Sequence, residues 1–347
     1  MMTRLSDTIA EIQPASKTGR EQARQRLDSL AMPHWALGQL MDLAESLAAM
    51  AGSIEPDFKQ RINIVMAGDH GVAAAGVSQY PQSVTRAMVE TMLSGGAAIN
   101  AIANSVDSRV IVVDMGVIGQ RSWSGRSGFL DYRIAEGTAN IAQGPAMTRE
   151  HAQASVEAGI QVAQSLQADI FGLGEMGIAN TTPATAVGCA LMRITAKGVT
   201  GRGTGICVDA IAAKEAVIDR ALKINEPDWE DGLDVLHKVG GFEIGGMAGF
   251  LIGAAALRKP VVIDGLISTA AALIAQSLCP MVTDWMLASH RSIEPLHVQM
   301  LEHLGLPPYL DLQMRLGEGT GAALMFPLVD SAMAILKNMA TLDEVVQ

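Results

Sequence analysis

Short apolar runs without polar alternation constrain this chain more than any other feature. They lie at 62–67 (INIVMA), 109–115 (RVIVVDM), 168–173 (ADIFGL), 260–263 (PVVI) and, more weakly, 281–287. Strands that are apolar at successive positions need cover on both faces of their sheet. Helical spacing occupies the intervals: 84–103, 150–166 with Thr148 as N-cap, a helix opened by Thr182-Pro183, then 214–222, 231–239, 245–257 and 268–278. The alternation predicts an α/β fold, a mostly parallel sheet flanked by helices in the Rossmann-like manner. The two ends read differently. Residues 8–12, 21–30 and 38–51 are helical, as is 293–347, with a last long helix from about Thr320 in which Pro327 marks a kink. We therefore expect residues 1–60 and 293–347 to form a small all-helical subdomain. Residues 61–292 then form a large α/β domain with its site at the carboxyl ends of the strands.

Composition narrows the partners. The chain of 347 residues has a net charge of −11, so a general nucleic-acid surface is not expected. The 20 methionines and the scarce aromatics (4%) suit a core of small and flexible apolar side chains. Cys189, Cys207 and Cys279 are widely spaced and form no CxxC pair, which reads as buried thiols in a reducing compartment without a zinc site. The N-terminal segment has no apolar core of a signal peptide, and 245–257 is too short to cross a bilayer. The expectation is a cytoplasmic protein with no membrane partner and no metal.

Glycine and acid recur where the strands end: Gly68-Asp69-His70-Gly71, Asp114-Met115-Gly116, Gly172-Leu173-Gly174-Glu175-Met176-Gly177 and Asp264-Gly265. Ordinary turn chemistry explains one such corner; four together suggest a functional rim. Gly172-x-Gly174-x-x-Gly177 formally matches the dinucleotide fingerprint, but its helix begins too late to meet a pyrophosphate. No GxxxxGK[ST], HExxH or GxSxG sequence occurs. Thr200-Gly201-Arg202-Gly203-Thr204-Gly205, with Lys214 downstream, reads either as a phosphate cradle or as a flexible loop. In Arg315-Leu316-Gly317-Glu318-Gly319 a lone carboxylate stands between glycines ahead of an apolar helix, either as a ligand-facing acid or as a helix-terminal charge. His70, His290 and His297 have no serine or cysteine elbow to serve, so structural roles are expected for them.

These motifs occur together in one family. The segments AGDHGV (67–72), SQYPQSVTRAMV (78–89), VVDMGV (112–117), GLGEMGIANTT (172–182), VTGRGTG (199–205), VGGFEIGGMAG (239–249), SHRSIE (289–294) and LDLQMRLGEGTGAAL (310–324) run in order. With them the sequence resembles the nicotinate-nucleotide–dimethylbenzimidazole phosphoribosyltransferases. That resemblance implies a cofactor-free homodimer moving phosphoribose from nicotinate mononucleotide to 5,6-dimethylbenzimidazole, with inversion at the anomeric carbon. It implies Glu318 as the general base and Glu175 as a second acid in the site. It places phosphate and ribose at Gly177, Asn180, Thr181, Gly201, Arg202, Gly203, Thr204, Gly205 and Lys214. It places the acceptor base at Tyr80, Gln82, Ser83, Met88, Leu173 and Leu316. The chain departs from the family pattern at Leu296, where glycine is common, and over 32–38 (MPHWALG). A dinucleotide oxidoreductase, a non-catalytic ribotide-binding protein and transfer to another aromatic acceptor are the competing readings.

Overall fold

A computed structural model of the chain describes residues 3–119 and 123–346. Met1, Met2 and Gln347, the outermost residues of the terminal segments, lie outside them. The helices are α1 (Arg4–Glu11), α2 (Lys17–Asp28), α3 (Gln39–Ala51), α4 (Ser83–Leu93), α5 (Ala98–Ser105), α6 (Arg149–Ser165) and α7 (Thr181–Met192). They continue as α8 (Val208–Asn225), α9 (Gly232–Val239), α10 (Phe242–Ala256), α11 (Leu266–Leu278), α12 (Pro295–Leu304), α13 (Thr320–Asn338) and α14 (Leu342–Val346). The strands are β1 (Arg61–Gly68), β2 (Ser108–Gly116), β3 (Phe129–Asp131), β4 (Ile170–Met176), β5 (Val261–Ile263) and β6 (Met286–Ala288).

The strands form one six-stranded sheet in the order β3-β2-β1-β4-β5-β6, and every neighbouring pair is parallel. This is the parallel α/β architecture that the apolar runs predict. β1 is buried at every position, because helices cover both of its faces. α10 and α11 lie against the sheet on one side, with α6 packed on α10; α4, α5 and α13 also pack on its strands. The α6–α10 contact is backbone to backbone. A Cβ at Gly159 would strike the Gly246 carbonyl, and one at Gly249 the Val156 carbonyl. The glycine-rich run in α10 is therefore what lets two core helices approach so closely.

Several boundaries differ from the sequence reading. The interval 84–103 is two helices, α4 and α5, because Ser94-Gly95-Gly96 ends the first. Gly95 is left-handed at φ +79°, and the Gly96 N–H bonds back to the Thr91 carbonyl. The 281–287 run is mostly a 3-10 turn, and only Met286–Ala288 pairs as β6. α8 starts at Val208 rather than at Lys214. Thr148 does cap α6, accepting from the His151 N–H at 3.1 Å. α13 passes Pro327 without a break. By length and composition α13 is apolar enough to cross a membrane, yet half of it is buried inside the fold.

The chain ends meet. α2 and α3 pack on α13, Leu30 pairs with Thr341, and the Arg26 Nε donates to the Leu336 carbonyl at 3.1 Å. α1 lies on α6 and α10, and α12 on α7 and α11. Of the cysteines, Cys189 and Cys279 are buried, but Cys207 is exposed at the start of α8, which corrects the expectation of three buried thiols.

Candidate active site

Parallel strands in register deliver their following loops to one edge of the sheet. Two of the acids there are turn residues. Asp114 Oδ1 accepts from the Gly116 and Val117 N–H groups at 3.0 and 2.8 Å, and Asp69 Oδ2 from the Ile118 N–H at 2.8 Å. The acids on β4 and after β5 are different, because they meet the loop that carries Glu318.

Glu318 has a left-handed backbone (φ +63°), as do Gly317 (+86°) and Gly319 (+81°) on either side. A non-glycine residue held there stores strain that surrounding contacts must maintain. The contact comes from β4. A Cβ on Gly174 would land on the Gly319 nitrogen and the Glu318 carbonyl carbon, so only glycine lets the strand back the turn this tightly. Glu318 is 5% exposed, and its Oε2 accepts from the Ile99 N–H of α5 at 3.4 Å. Burial raises its carboxyl above the ordinary range, the Ile99 bond opposes this, and the Asp264 charge adds to the rise.

Glu175 is the penultimate residue of β4. Its Oε2 accepts from Asn180 Nδ2, and its Oε1 faces Gly317, where a side chain would collide with it. Burial, then the charges of Asp264 and Glu243, push this carboxyl up to about 8; Asn180 opposes the shift and Glu318 adds to it. Two carboxyls, both raised by burial, thus flank one turn, an arrangement suited to proton transfer.

The second half of the site is the Gly201–Gly205 loop. Lys214 of α8 is 1% exposed, and its Nζ donates to Thr181 Oγ1 at 2.7 Å and to the Gly201 carbonyl at 3.5 Å. Burial pulls the ammonium down to about 8 although Glu294 pulls it up. The Gly203 N–H donates to Glu294 Oε1 at 2.9 Å, and Arg315 reaches the Gly203 carbonyl at 3.3 Å. Glu294 Oε2 is buried without a partner, and a Cβ at Gly201 would overlap it. A small cavity is lined by Glu175, Thr181, Gly265, His290, Glu294 and Gly317, of which Glu294 contacts the glycine loop and Thr181 contacts Lys214.

The chain matches the family model described as phosphoribosyltransferase over residues 12–346. It is 56% identical over 346 residues to the nicotinate-nucleotide–dimethylbenzimidazole phosphoribosyltransferase of Syntrophotalea carbinolica, covering 99% of this chain and 98% of that one. The protein of the same name from Geobacter metallireducens is 47% identical, again over 99% and 98%. A crystal structure bearing this name from Thermus thermophilus superposes with a TM-score of 0.89 at 41% identity, covering 95% of this chain and 98% of the other. The chain belongs to the phosphoribosyltransferase family. It is accordingly an enzyme of the pentosyltransferase kind.

In this phosphoribosyltransferase the residues named from sequence fall into three groups. Glu175 and Thr181 line the cavity, Glu318 follows Gly317 of its wall, and Lys214, Gly201 and Gly203 connect to it through Thr181 and Glu294. Gly177 lies beside them, where a Cβ would meet the Gly68 carbonyl and crowd His70 Nε2. The 78–83 segment lies against the glycine loop. Thr204 Oγ1 bonds Ser78 Oγ at 3.1 Å and accepts from the Gln79 N–H at 3.3 Å, which ties the two together. Gln82 Nε2 donates to the His70 carbonyl at 3.1 Å, Ser83 opens α4, and Met88 packs partly buried one helical turn further on. Tyr80 (52%) and Leu316 (58%) stand exposed, and Gly205 approaches both Gln79 and Arg315.

Three placements differ. Leu173 is wholly buried in the main core, so it backs the site and does not line it. Arg202 donates its Nε to the Ile206 carbonyl of its own loop at 2.8 Å, which commits that nitrogen to the loop. Asn180 is committed to Glu175. Leu296, the departure from the family pattern, is buried over Gly188 of α7.

Sequence reasoning gave no role to Glu243 or Glu294 and counted Asp264 only as one acid of the rim. Glu243 bonds His70 Nε2 at 2.6 Å with both side chains buried. His297 is also buried, and burial, with the neighbouring His290, lowers its imidazole to about 3. Its Nδ1 accepts from the Ser292 N–H at 3.0 Å, and its Nε2 lies 3.0 Å from Thr269 Oγ1.

Proposed function

We propose that this phosphoribosyltransferase carries the phosphoribosyl group of nicotinate mononucleotide to 5,6-dimethylbenzimidazole, with nicotinate leaving and α-ribazole 5′-phosphate forming by inversion at the anomeric carbon. The names of relatives matched over nearly the whole chain support the substrates. The observation that carries the chemistry is Glu318, a buried carboxylate held in a left-handed turn at the ends of the strands. Nicotinate departs readily because its ring nitrogen is cationic in the nucleotide and neutral once released. The attacking benzimidazole nitrogen gains positive charge as its bond to the ribose forms, and the other ring nitrogen must shed a proton. Glu318, raised by burial and adjacent to Gly317 of the cavity wall, accepts it; such general-base help is worth about 10²–10⁴-fold. Glu175, pushed up to about 8, holds its own proton at neutral pH and orients the ring or the ribose from the opposite side.

The phosphate docks at the glycine loop beside Thr181 and Lys214, where the ammonium supplies its charge. Holding acceptor and sugar in line supplies further acceleration. The apolar side chains of Tyr80, Ile293, Leu312 and Leu316 are all more than half exposed. They support a homodimer whose partner subunit covers them. The test is Glu318→Gln. We expect nucleotide binding to persist and turnover with 5,6-dimethylbenzimidazole to fall by about 10²-fold or more. Turnover at the wild-type rate refutes the base assignment.

A further inference from the structure

Three successive left-handed residues ending in a helix need an anchor, and Asp264 provides it. Asp264 is the first residue beyond β5 and is 2% exposed. Its Oδ2 accepts from the Gly319 N–H at 2.9 Å and its Oδ1 from the Gly321 N–H at 2.8 Å. Both donors follow Glu318 directly in the chain, at the start of α13. On its other side Asp264 Oδ1 lies 3.4 Å from His290 Nε2. Gly321 admits nothing larger, since a Cβ there would strike both the His290 ring and Asp264 Oδ1. The carboxylate and the imidazole are therefore wedged against the backbone that presents Glu318.

The groups facing Glu318 come from several elements. Asp264 reaches it from β5, Glu175 from β4 and the Ile99 N–H from α5, while Glu243 of α10 acts on Glu175. His290 faces Asp264 from the side away from Glu318. Burial pushes its imidazole down, and the bond to and charge of Asp264 more than reverse that, so it ends above its ordinary value.

We infer that Asp264 is a positioning residue for the transfer reaction: it pins the 317–319 turn that aims Glu318, and its negative charge, moderated by His290, makes Glu318 a stronger proton acceptor. This rests on the assignment of Glu318 as the base. A carboxylate beside a second carboxylate disfavours ionisation of its neighbour, whereas a cation paired with the first one screens that effect.

The test is the pH dependence of kcat at saturating nicotinate mononucleotide and 5,6-dimethylbenzimidazole, for wild type, Asp264→Asn and His290→Asn. Asp264→Asn removes the charge and one backbone bond. Its kcat falls about tenfold or more and its acid limb moves to lower pH by about one unit, while KM for the nucleotide stays near wild type. His290→Asn leaves the Asp264 charge unscreened, and its acid limb moves the other way, to higher pH. A purely structural Asp264 lowers kcat and leaves the limb where it is, which overturns the inference. If Asp264→Asn does not fold, the His290→Asn limb decides, and an unmoved or acid-shifted limb overturns the inference. Failure of the base assignment itself is seen separately, as Glu318→Gln turning over at the wild-type rate.

Discussion

Lys214→Met separates what this lysine costs the fold from what it does for the substrate. Its ammonium is 1% exposed, and burial lowers it from 10.5 to about 8. A gap of about 2.5 units corresponds to about 3 kcal/mol against folding with the charge in place. Methionine keeps the apolar stem and removes that cost, but it leaves Thr181 Oγ1 and the Gly201 carbonyl unpaired, a loss of about 1–2 kcal/mol. The net expectation is a variant more stable than wild type by about 1–2 kcal/mol at pH 7. The sign follows from proton uptake. Between pH 8 and 10.5 the unfolded chain holds the lysine proton and the folded one does not, so wild-type stability rises with pH across this window and the advantage of Lys214→Met disappears above it. Binding responds oppositely. A charge-assisted bond to phosphate is worth about 1.5–3 kcal/mol, so nicotinate mononucleotide should bind about 10- to 150-fold more weakly. Wild-type affinity should also decline as pH passes about 8, and affinity in the variant should not. Urea unfolding across pH 7–11 and calorimetric binding of nicotinate mononucleotide and of its phosphate-free riboside provide the readouts. Equal losses for nucleotide and riboside refute the phosphate assignment. A variant that unfolds before wild type at pH 7 refutes the burial argument.

Gly174→Ala places a methyl group against the Glu318–Gly319 backbone. We expect kcat to fall at least tenfold and stability by about 1–3 kcal/mol, measured by turnover and denaturation. We propose that the acceptor sits among the apolar side chains of Tyr80, Met88 and Leu316; one methyl group in such a slot is worth about 1–3 kcal/mol, so benzimidazole and 5-methylbenzimidazole should react within about a hundredfold of the dimethyl base in competition assays.

How much of this was legible in the sequence depends on the range of the interaction involved. β1, β2 and β4 were legible because burial on both faces leaves continuous apolar runs. β3 was not, since three residues at a sheet edge carry no pattern. The stop at Gly95-Gly96 hid inside a longer apolar periodicity, and α8 begins after Cys207, which offers no side-chain cap. Within the site, Glu318 stood out because glycines on both sides announce a special backbone. The glycine loop and Lys214 were visible as a candidate cradle for the same local reason. Glu294 was not, because its partner Gly203 lies 91 residues away. Asp264 was visible only as one of the acids at the strand ends, and its grip on Gly319 spans 55 residues. Leu173 and Asn180 sit in the right segment, but local pattern cannot tell a core-facing side chain from a ligand-facing one at a strand end.

The central claim is an inverting transfer of phosphoribose to the benzimidazole nitrogen, and the product's anomeric configuration tests it most directly. Purified protein would be incubated with nicotinate mononucleotide and 5,6-dimethylbenzimidazole, and the ribotide isolated for proton NMR. The account predicts release of nicotinate and a single ribotide in which the base and the 2′-hydroxyl lie on the same face of the ring. A β-configured ribotide, or consumption of the nucleotide without transfer to the base, contradicts it.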